Sequence, residues 1–289
     1  MQQSPFATPV LGGGVFGGLI PTRPDLYARV YPYPIPRLNP QAVLQNHDLR
    51  DYQGQSLFPP IGDQGQIGSC AAWAYGYYLR SALASKWHID NGTTPDLPDT
   101  LSPRFLYDAT RGKMGTYPQD SGSDMRTAAS ILLDYGCAAE RDCPYTGKAD
   151  NGPLADEMTE HVRGSASYYA VSNYYKIQGT GQALIDNIIA TLHQNQPVAL
   201  AILIEERFIN APGGKVPAPD PNAQILGGHA ICCCGNFYDN SASGGIWLPI
   251  LNSWGPSAGD GGVYYIPSSY ATTQHRYYGS YLQEAWTCV

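Results

Sequence analysis

The sequence predicts an α+β fold in two lobes, with helices dominating the first half of the chain and strands the second. Apolar residues recur at helical spacing over residues 71–83 and 125–135. Shorter, continuous apolar runs at 197–203 and 246–251 are typical of buried strands. Because the hydrophobic period changes between these regions, we place the division between the lobes near residue 165.

Local signals place the remaining elements. Ser102 followed by Pro103 is typical of an N-cap and a first helical residue, and predicts a helix over 104–109. Gly136 is expected to end the helix at 125–135. A fourth amphipathic helix is expected at 184–192, and further strands at 229–234 and 263–266.

The first 45 residues differ in composition from the rest of the chain. Prolines at positions 5, 9, 21, 24, 32, 34, 36 and 40 favour extended backbone and oppose helix formation. We therefore expect residues 1–45 to form an extension outside the main core. Residues 46–289 are expected to form the main domain, with a helical lobe at about 60–165 and a β lobe at about 166–280.

Composition and charge exclude several classes of function. Lys and Arg total 17 against 24 Asp and Glu, which gives a net charge of −7 and no basic footprint for nucleic acid. No stretch approaches about 20 consecutive apolar residues, so we expect no membrane span. The glycine-interrupted apolar run at 10–20 has no Lys or Arg before it, which argues against a cleaved secretory signal. Whether the protein is cytoplasmic or exported by a non-classical route stays open.

The seven cysteines do not form a metal-binding or disulfide pattern. No CxxC pair occurs, and Cys232, Cys233 and Cys234 are consecutive. Adjacent strand residues point to opposite faces, so these three thiols cannot easily converge on one ion, and we expect neither metal nor cofactor. A disulfide between Cys137 and Cys143 is left open. The histidines at 47, 88, 161, 193 and 275 show no ligand spacing and are expected at the surface.

Three separate motifs together suggest nucleophilic catalysis. Cys70 stands at the start of a helix, where the macrodipole stabilises a thiolate. His229 opens a strand after two glycines, and Asn252 follows another strand. A thiol nucleophile needs a base, and the base needs an orienting group, which are the roles that His229 and Asn252 can fill.

Gln64, six residues before Cys70, completes this constellation. Its side-chain amide can donate to a developing oxyanion beside the backbone N–H of Cys70. Each of these residues alone is more often structural, since a free Cys is commonly a small buried hydrophobe. Their occurrence together and in this order favours a catalytic site.

At this point the chain resembles the bacterial branch of the papain-like cysteine peptidases, over roughly residues 48–270. Ile67 and Ala71 stand where that family usually has Cys and Trp, so the associated disulfide is not expected, and Asp120-Ser121-Gly122-Ser123 replaces the usual Cys-Asn-Gly-Gly. The residues before Gln64 are too few for the family's long helical propeptide. The resemblance is carried by Gln64, Gly68-Ser69-Cys70, Leu101-Ser102-Pro103, Ser121-Gly122, Cys143-Pro144-Tyr145, Gln196-Pro197-Val198, Gly228-His229-Ala230 and Asn252-Ser253-Trp254-Gly255.

The resemblance implies a papain-like two-lobe fold and a thiol endopeptidase that acts on peptides or proteins. Trp254 would cover the hydrogen bond between His229 and Asn252. The second subsite would be apolar, and we expect the enzyme to be a monomer. The residues implied for substrate binding are Gly122, Ser123, Met125, Gly227, Gly228, Ala230 and Trp254.

The extension at 1–45 is too short and too rich in proline for the usual helical propeptide. Its apolar side chains could still occupy the cleft, and a preformed extended segment loses little entropy on docking. We therefore expect a short autoinhibitory segment that packs on the body, with a disordered leader as the alternative.

Two other classes of function remain open from the residues alone. A Cys-His acyl transferase, such as a transglutaminase or an arylamine acetyltransferase, usually orients its His with Asp, whereas this chain has Asn252. Product analysis with an added amine acceptor separates transfer from hydrolysis. A catalytically silent peptide-binding protein is the third reading, and labelling of Cys70 by an epoxide inhibitor decides it.

Overall fold

The computed structural model of the chain describes residues 18–27, 30, 33–34, 45–93, 100–147 and 159–289. Helices make up most of the part before residue 169, and an antiparallel sheet makes up most of the part after it. The predicted α+β architecture is therefore confirmed. None of the described helices is both long enough and apolar enough to cross a membrane.

A long buried helix runs through the centre of the molecule. It consists of α2 (Cys70–Ala72), the π-helical segment α3 (Trp73–Arg80) and α4 (Ser81–Asp90), which follow one another without a break. Its first half is apolar on all sides, which suits a helix packed between the other helices and the sheet. The N-terminus of this helix places Cys70 at the boundary between the helices and the sheet.

Two further helices of the first lobe begin where the sequence predicts, although the first continues to Met114, beyond the predicted end at 109. Helix α5 (Pro103–Met114) is capped by Ser102, whose Oγ accepts from the backbone N–H of Phe105 at 3.0 Å. Helix α6 (Met125–Asp134) is capped by Asp124 and is followed by Gly136 at φ +82°. A Cβ on Gly136 would lie 1.9 Å from the carbonyl oxygen of Ala166, so only glycine fits there. The sequence reading missed α7 (Glu160–Tyr168).

Within the described residues the main sheet has eight strands in the order β1-β5-β6-β4-β3-β10-β2, with β7 paired to β6. The predicted strands are confirmed as β3, β4, β6 and β7. The sheet also includes β1 and β10, which both lie outside the range of about 166–280 expected for the β lobe. The strands are β1 (His47–Asp48), β2 (Tyr174–Lys176), β3 (Val198–Ile204), β4 (Gly227–Cys233), β5 (Gly235–Tyr238), β6 (Ile246–Leu251), β7 (Val263–Pro267) and β10 (Leu282–Cys288).

Smaller elements complete the second lobe. Helix α8 contains the predicted amphipathic helix and packs on the sheet. The short strands β8 and β9 form a separate pair. These elements are α8 (Gln182–Leu192), α9 (Glu206–Ile209), β8 (Gln274–His275), α10 (Ser269–Thr272) and β9 (Gly279–Ser280).

The consecutive cysteines show how the sheet separates two cores. Cys232 and Cys234 face the core around the central helix, whereas Cys233 faces the core beneath α8. All seven cysteines are free thiols, so Cys137 and Cys143 are not paired. Burial raises the pKa of Cys233 to about 12, which keeps this thiol protonated and unreactive.

The expectation that the other histidines lie at the surface was wrong for His275. Its side chain is buried, and its Nε2–H donates to the carbonyl oxygen of Ala223 at 3.0 Å. His47 and His193 stack with ring centroids 4.7 Å apart, and the Nε2 atom of each is buried. Sequence spacing could not show these contacts, because they join segments that are far apart in the chain.

The described part of the N-terminal extension packs against the body. We call residues 18–27 the N-terminal strap; it includes the short helix α1 (Pro24–Tyr27). Leu19 forms a parallel bridge with Ser123, in which Ser123 N–H donates to Gly18 O at 2.8 Å and Ile20 N–H donates to Ser123 O at 3.0 Å. A Cβ on Gly18 would lie 2.1 Å from Gly68 O, so the strap approaches the nucleophile loop closely only because residue 18 is glycine. Some of the apolar side chains of the extension that are expected to occupy the cleft are not described. They include Tyr31 and Ile35, which lie outside the described residues.

Candidate active site

The loop before the central helix fixes the Gln64 side chain. Its Oε1 accepts from Ser253 Oγ at 2.6 Å, and its Nε2 donates one hydrogen to Ile67 O at 2.8 Å. The backbone N–H of Gln64 also donates to Ser253 O at 2.8 Å. The amide plane is therefore held by both lobes, and its second N–H is left to donate to a substrate oxygen.

Cys70 is fully buried at the first position of the central helix. Burial raises the pKa of its thiol, while hydrogen bonds from the backbone of Gly18 and Ala230 oppose this rise. Ala230 immediately follows His229 on β4, so the thiol lies where the central helix meets that strand. Gly18 belongs to the strap, which thus covers the sulfur.

His229 and Asn252 form the pair that the motif implies. His229 Nε2 and Asn252 Oδ1 are 2.7 Å apart, and both side chains are fully buried. Asn252 Oδ1 also accepts from the backbone N–H of Ser253 at 2.8 Å, which orients the amide with its oxygen towards the imidazole. Because Asn252 Oδ1 can only accept, His229 Nε2 must carry the hydrogen. Within the part of the chain that the structure describes, the buried Nδ1 of His229 has no hydrogen-bond partner, so it is available as a base.

Trp254 covers this pair. Its ring stacks on His229 with centroids 4.8 Å apart and an interplanar angle of 24°. Burial lowers the pKa of His229 to about 4, although the hydrogen bond to Asn252 opposes this effect. With the strap in place, the raised thiol pKa and the lowered imidazole pKa favour a neutral Cys70 and a neutral His229 at neutral pH.

The residues implied for substrate binding surround the strap. Ser123 pairs with the strap as described, and Gly228 O accepts from Leu19 N–H at 3.4 Å. Gly122 lies against Gly18, whose carbonyl oxygen would be 2.1 Å from a Cβ on residue 122. Gly227 precedes Gly228 on β4, and Met125 and Ala230 are buried. The structure therefore brings Gly122, Ser123 and Gly228 together at the strap.

Glu284 is a residue of the cleft that sequence reasoning missed. It lies opposite Ala201 in the β3–β10 ladder and borders a small cavity with Leu19 and Gly228. Its buried carboxylate accepts from Thr22 N–H at 3.2 Å, Thr22 Oγ1 at 3.0 Å and Tyr27 OH at 2.7 Å, all from the strap. Trp286 Nε1 donates the remaining bond at 2.7 Å. The available signal was the single acidic residue of strand β10, whose other residues mix polar and apolar side chains.

The described residues contain no group of three or more His, Cys, Asp or Glu side chains placed to hold a metal ion. The candidate chemistry of this site rests on the geometry of Cys70, His229, Asn252 and Gln64.

The family model described as "Papain family cysteine protease" matches residues 43–278 of the chain. The chain therefore belongs to the papain family of cysteine proteases. The fold agrees with this membership, since the folded chain superposes on xylellain, a cysteine protease from Xylella fastidiosa, with a TM-score of 0.71. That match has 24% sequence identity and covers 94% of this chain and 95% of xylellain. Digestive procathepsin L 3 of Tenebrio molitor matches with a TM-score of 0.63 at 20% identity, covering 90% of this chain and 73% of the other.

Two curated relatives match at slightly higher sequence identity over shorter parts of this chain. An uncharacterised peptidase C1-like protein of Acanthamoeba polyphaga mimivirus is 28% identical over 217 residues, which is 74% of this chain. Cathepsin J of Mus musculus is 26% identical over 244 residues, which is 81% of this chain. The chain spans 66% of the length of each of these relatives.

The lowered pKa of His229 predicts a loss of stability in acid. An unfolded His takes up its proton near pH 6.5, whereas the folded one resists protonation until about pH 4, so the unfolded state binds more protons in between. Stability that is present above pH 6.5 is therefore lost as the pH falls towards 4. Urea unfolding at pH 7.5 and pH 5 should show a drop that is larger in the unsubstituted protein than in His229→Gln, by on the order of 2 kcal/mol.

The control for this measurement is His88→Gln, at a half-buried position on α4 where Nδ1 pairs with Thr93 Oγ1. It should keep the pH dependence of the unsubstituted protein. Equal pH slopes in the unsubstituted protein and in His229→Gln would show that His229 is not buried in its neutral form.

Proposed function

We propose that this chain is an endopeptidase that hydrolyses peptide bonds through Cys70, His229 and Asn252. The observation that carries the proposal is the buried bond of 2.7 Å between His229 Nε2 and Asn252 Oδ1, which leaves Nδ1 without a hydrogen-bond partner among the described residues. The next residue, Ala230, has its backbone against the Cys70 thiol. Membership of the papain family of cysteine proteases supports the same chemistry. The substrates would be peptides or proteins, and the reaction needs no cofactor.

The geometry supports the following sequence of steps. His229 Nδ1 accepts the proton of Cys70, and the thiolate attacks the substrate carbonyl carbon. The backbone N–H of Cys70 and the second N–H of Gln64 Nε2 donate to the oxyanion. The imidazolium then protonates the leaving amine, and water hydrolyses the acyl-enzyme with His229 as the base. Asn252 keeps the imidazole oriented throughout, and Trp254 keeps water from their hydrogen bond.

Cys70→Ala should abolish hydrolysis of a fluorogenic peptide while the protein remains folded. The change removes one sulfur atom and leaves the helix start intact. Cys143→Ala is the matched control, because Cys143 is a half-buried thiol in the same lobe. We expect the control to keep full turnover. If the turnover of Cys70→Ala were within tenfold of that of the unsubstituted protein, Cys70 would be excluded as the nucleophile. In a separate product analysis of the unsubstituted protein, amide formation with an added amine would identify a transferase.

We further propose that the strap is autoinhibitory. Gly18 covers the Cys70 sulfur, and Leu19 and Ile20 use the backbone groups of Gly228 and Ser123 that line the cleft. A peptide substrate would need these same groups. The support for inhibition is thus competition for one surface, and release of the strap would also let water reach His229 and Cys70.

Gly18→Leu in the full chain should raise kcat/KM on a short peptide by roughly tenfold or more, since each 1.4 kcal/mol lost from the strap contacts is a tenfold change. The reason is the missing space, because a Cβ at residue 18 would lie 2.1 Å from Gly68 O. Gly164→Leu is the control, because Gly164 lies in α7 with open space around it. Unchanged kinetics in Gly18→Leu would mean that the strap does not restrict the cleft.

The second subsite is proposed to accept an apolar residue, with Glu284 adding a carboxylate at its far end. Ala201 is paired with Glu284 on one side and with Ala230 on the other, and both alanines are buried, as is Met125. With the strap released, Glu284 loses its bonds from Thr22 and Tyr27 and keeps the one from Trp286. A buried carboxylate short of donors favours a hydrogen-bonding or cationic side chain in the substrate.

Two peptides that differ only in Leu or Arg at the second position before the scissile bond test this subsite. We expect both to be cleaved, and we expect Glu284→Leu to lower cleavage of the Arg peptide relative to the Leu peptide by about tenfold or more. Taking the ratio cancels any change in strap release, which affects both peptides equally. An unchanged ratio would place Glu284 outside the subsite.

A further inference from the structure

One buried hydroxyl connects three parts of the active site. Tyr78 lies on α3, eight residues after Cys70, and its side chain is 1% exposed. Its OH donates to the backbone carbonyl oxygen of Asn252 at 2.8 Å. The same OH accepts from the backbone N–H of Gly62 at 3.1 Å. Both the donor and the acceptor capacity of the hydroxyl are therefore used.

Both bonded residues belong to loops that carry catalytic groups. Asn252 is the orienting residue for His229, and its own backbone N–H donates to Gly262 O at 3.2 Å. Gly62 precedes Gln64 by two residues, and Gly62 O accepts from Gly255 N–H at 3.0 Å. The Tyr78 hydroxyl thus ties the Gln64 loop and the Asn252 loop to the helix that begins with Cys70.

The neighbouring Tyr77 provides a contrast on the same helix. Its OH donates to Pro60 O at 2.9 Å, in the loop that also contains Gly62, but the bond is exposed. Among the described residues, its hydroxyl forms no hydrogen bond with Asn252 or Gly62. The two tyrosines lie side by side on one helix, and both hydroxyls bond to the loop that precedes Gln64. Only the Tyr78 hydroxyl also bonds to Asn252.

We propose that Tyr78 is a positioning residue for the reaction, because its hydroxyl fixes the Asn252 carbonyl and the Gln64 loop relative to Cys70. The inference rests on the proposed Cys70–His229–Asn252 function. A rigid helix is a suitable base for this task, since displacement of a catalytic group by about 1 Å can cost on the order of 100-fold in rate. Tyr78→Phe would leave a carbonyl oxygen and an N–H buried without their partner, and both loops would relax.

A positioning role has a signature in the pH profile. The bond from His229 to Asn252 Oδ1 stabilises the imidazolium, so a misplaced Asn252 lets this cation lose its proton at lower pH. The alkaline limb of the profile of kcat/KM should then move to lower pH. A purely structural loss would lower the unfolding temperature without moving this limb.

The experiment measures kcat and KM as a function of pH for each variant of the full-length chain. Each variant is prepared both in the unmodified chain and in the chain carrying Gly18→Leu. Every measurement is made at the same number of degrees below the unfolding temperature of that variant. We expect Tyr78→Phe to lower kcat by about 10- to 100-fold with little change in KM. The alkaline limb should move in the same direction as in Asn252→Ala. Tyr77→Phe, the matched control, should stay within about twofold of the unsubstituted chain.

The double variant Tyr78→Phe/Asn252→Ala separates the two explanations further. If Tyr78 acts through Asn252 and its loop, the second change should add little to the first. Three results would overturn the inference. The rate losses of the two single variants could multiply in the double variant, or the alkaline limb of the kcat/KM profile could stay in place in Tyr78→Phe. Alternatively, Tyr78→Phe could have the same kinetics as Tyr77→Phe. Hydrolysis that survives Cys70→Ala would instead overturn the proposed function, so the two failures are distinguishable.

Discussion

The site depends on one neutral amide, that of Asn252, which orients the buried imidazole of His229. Asn252 cannot fix the charge of His229 as a carboxylate would, so the geometry of one hydrogen bond has to do the orienting. The surrounding structure serves that bond. Ser253 N–H turns the amide oxygen towards the ring, Trp254 excludes water, and Tyr78 holds the backbone of Asn252. The same Ser253 orients Gln64, so the two halves of the site share one loop.

The residues of the site could be predicted because each belongs to a short motif with a local meaning. Cys70 opens a helix that the apolar pattern shows clearly, and Asn252 directly follows a strand that is apolar throughout. The sequence gives their order and the resemblance gives their roles. The main helices and the central strands were found for the same reason, since each has a continuous apolar face or run.

The elements that were missed depend on contacts between distant segments. Strand β10 reads as polar and apolar in mixed order, and it becomes a strand because it pairs with β3 on one side and β2 on the other. Glu284 lies on that strand, and its place in the cleft follows from its pairing opposite Ala201. Tyr78 looks like any aromatic residue of a buried helix, and only the folded chain shows where its hydroxyl ends. His275 was wrongly assigned to the surface for a related reason, because the loop around Ala223 covers it.

The proposed autoinhibition depends on the covalent link between the strap and the body. A tethered segment is present at an effective concentration that this link sets and that dilution of the protein does not lower. A peptide substrate must compete with this constant local concentration, so weak contacts suffice to keep the cleft filled. One cut in the chain between residue 34 and β1 would convert the strap into a free ligand at the concentration of the enzyme itself. Such a cut would change occupancy of the cleft by orders of magnitude while leaving every contact of the strap unaltered.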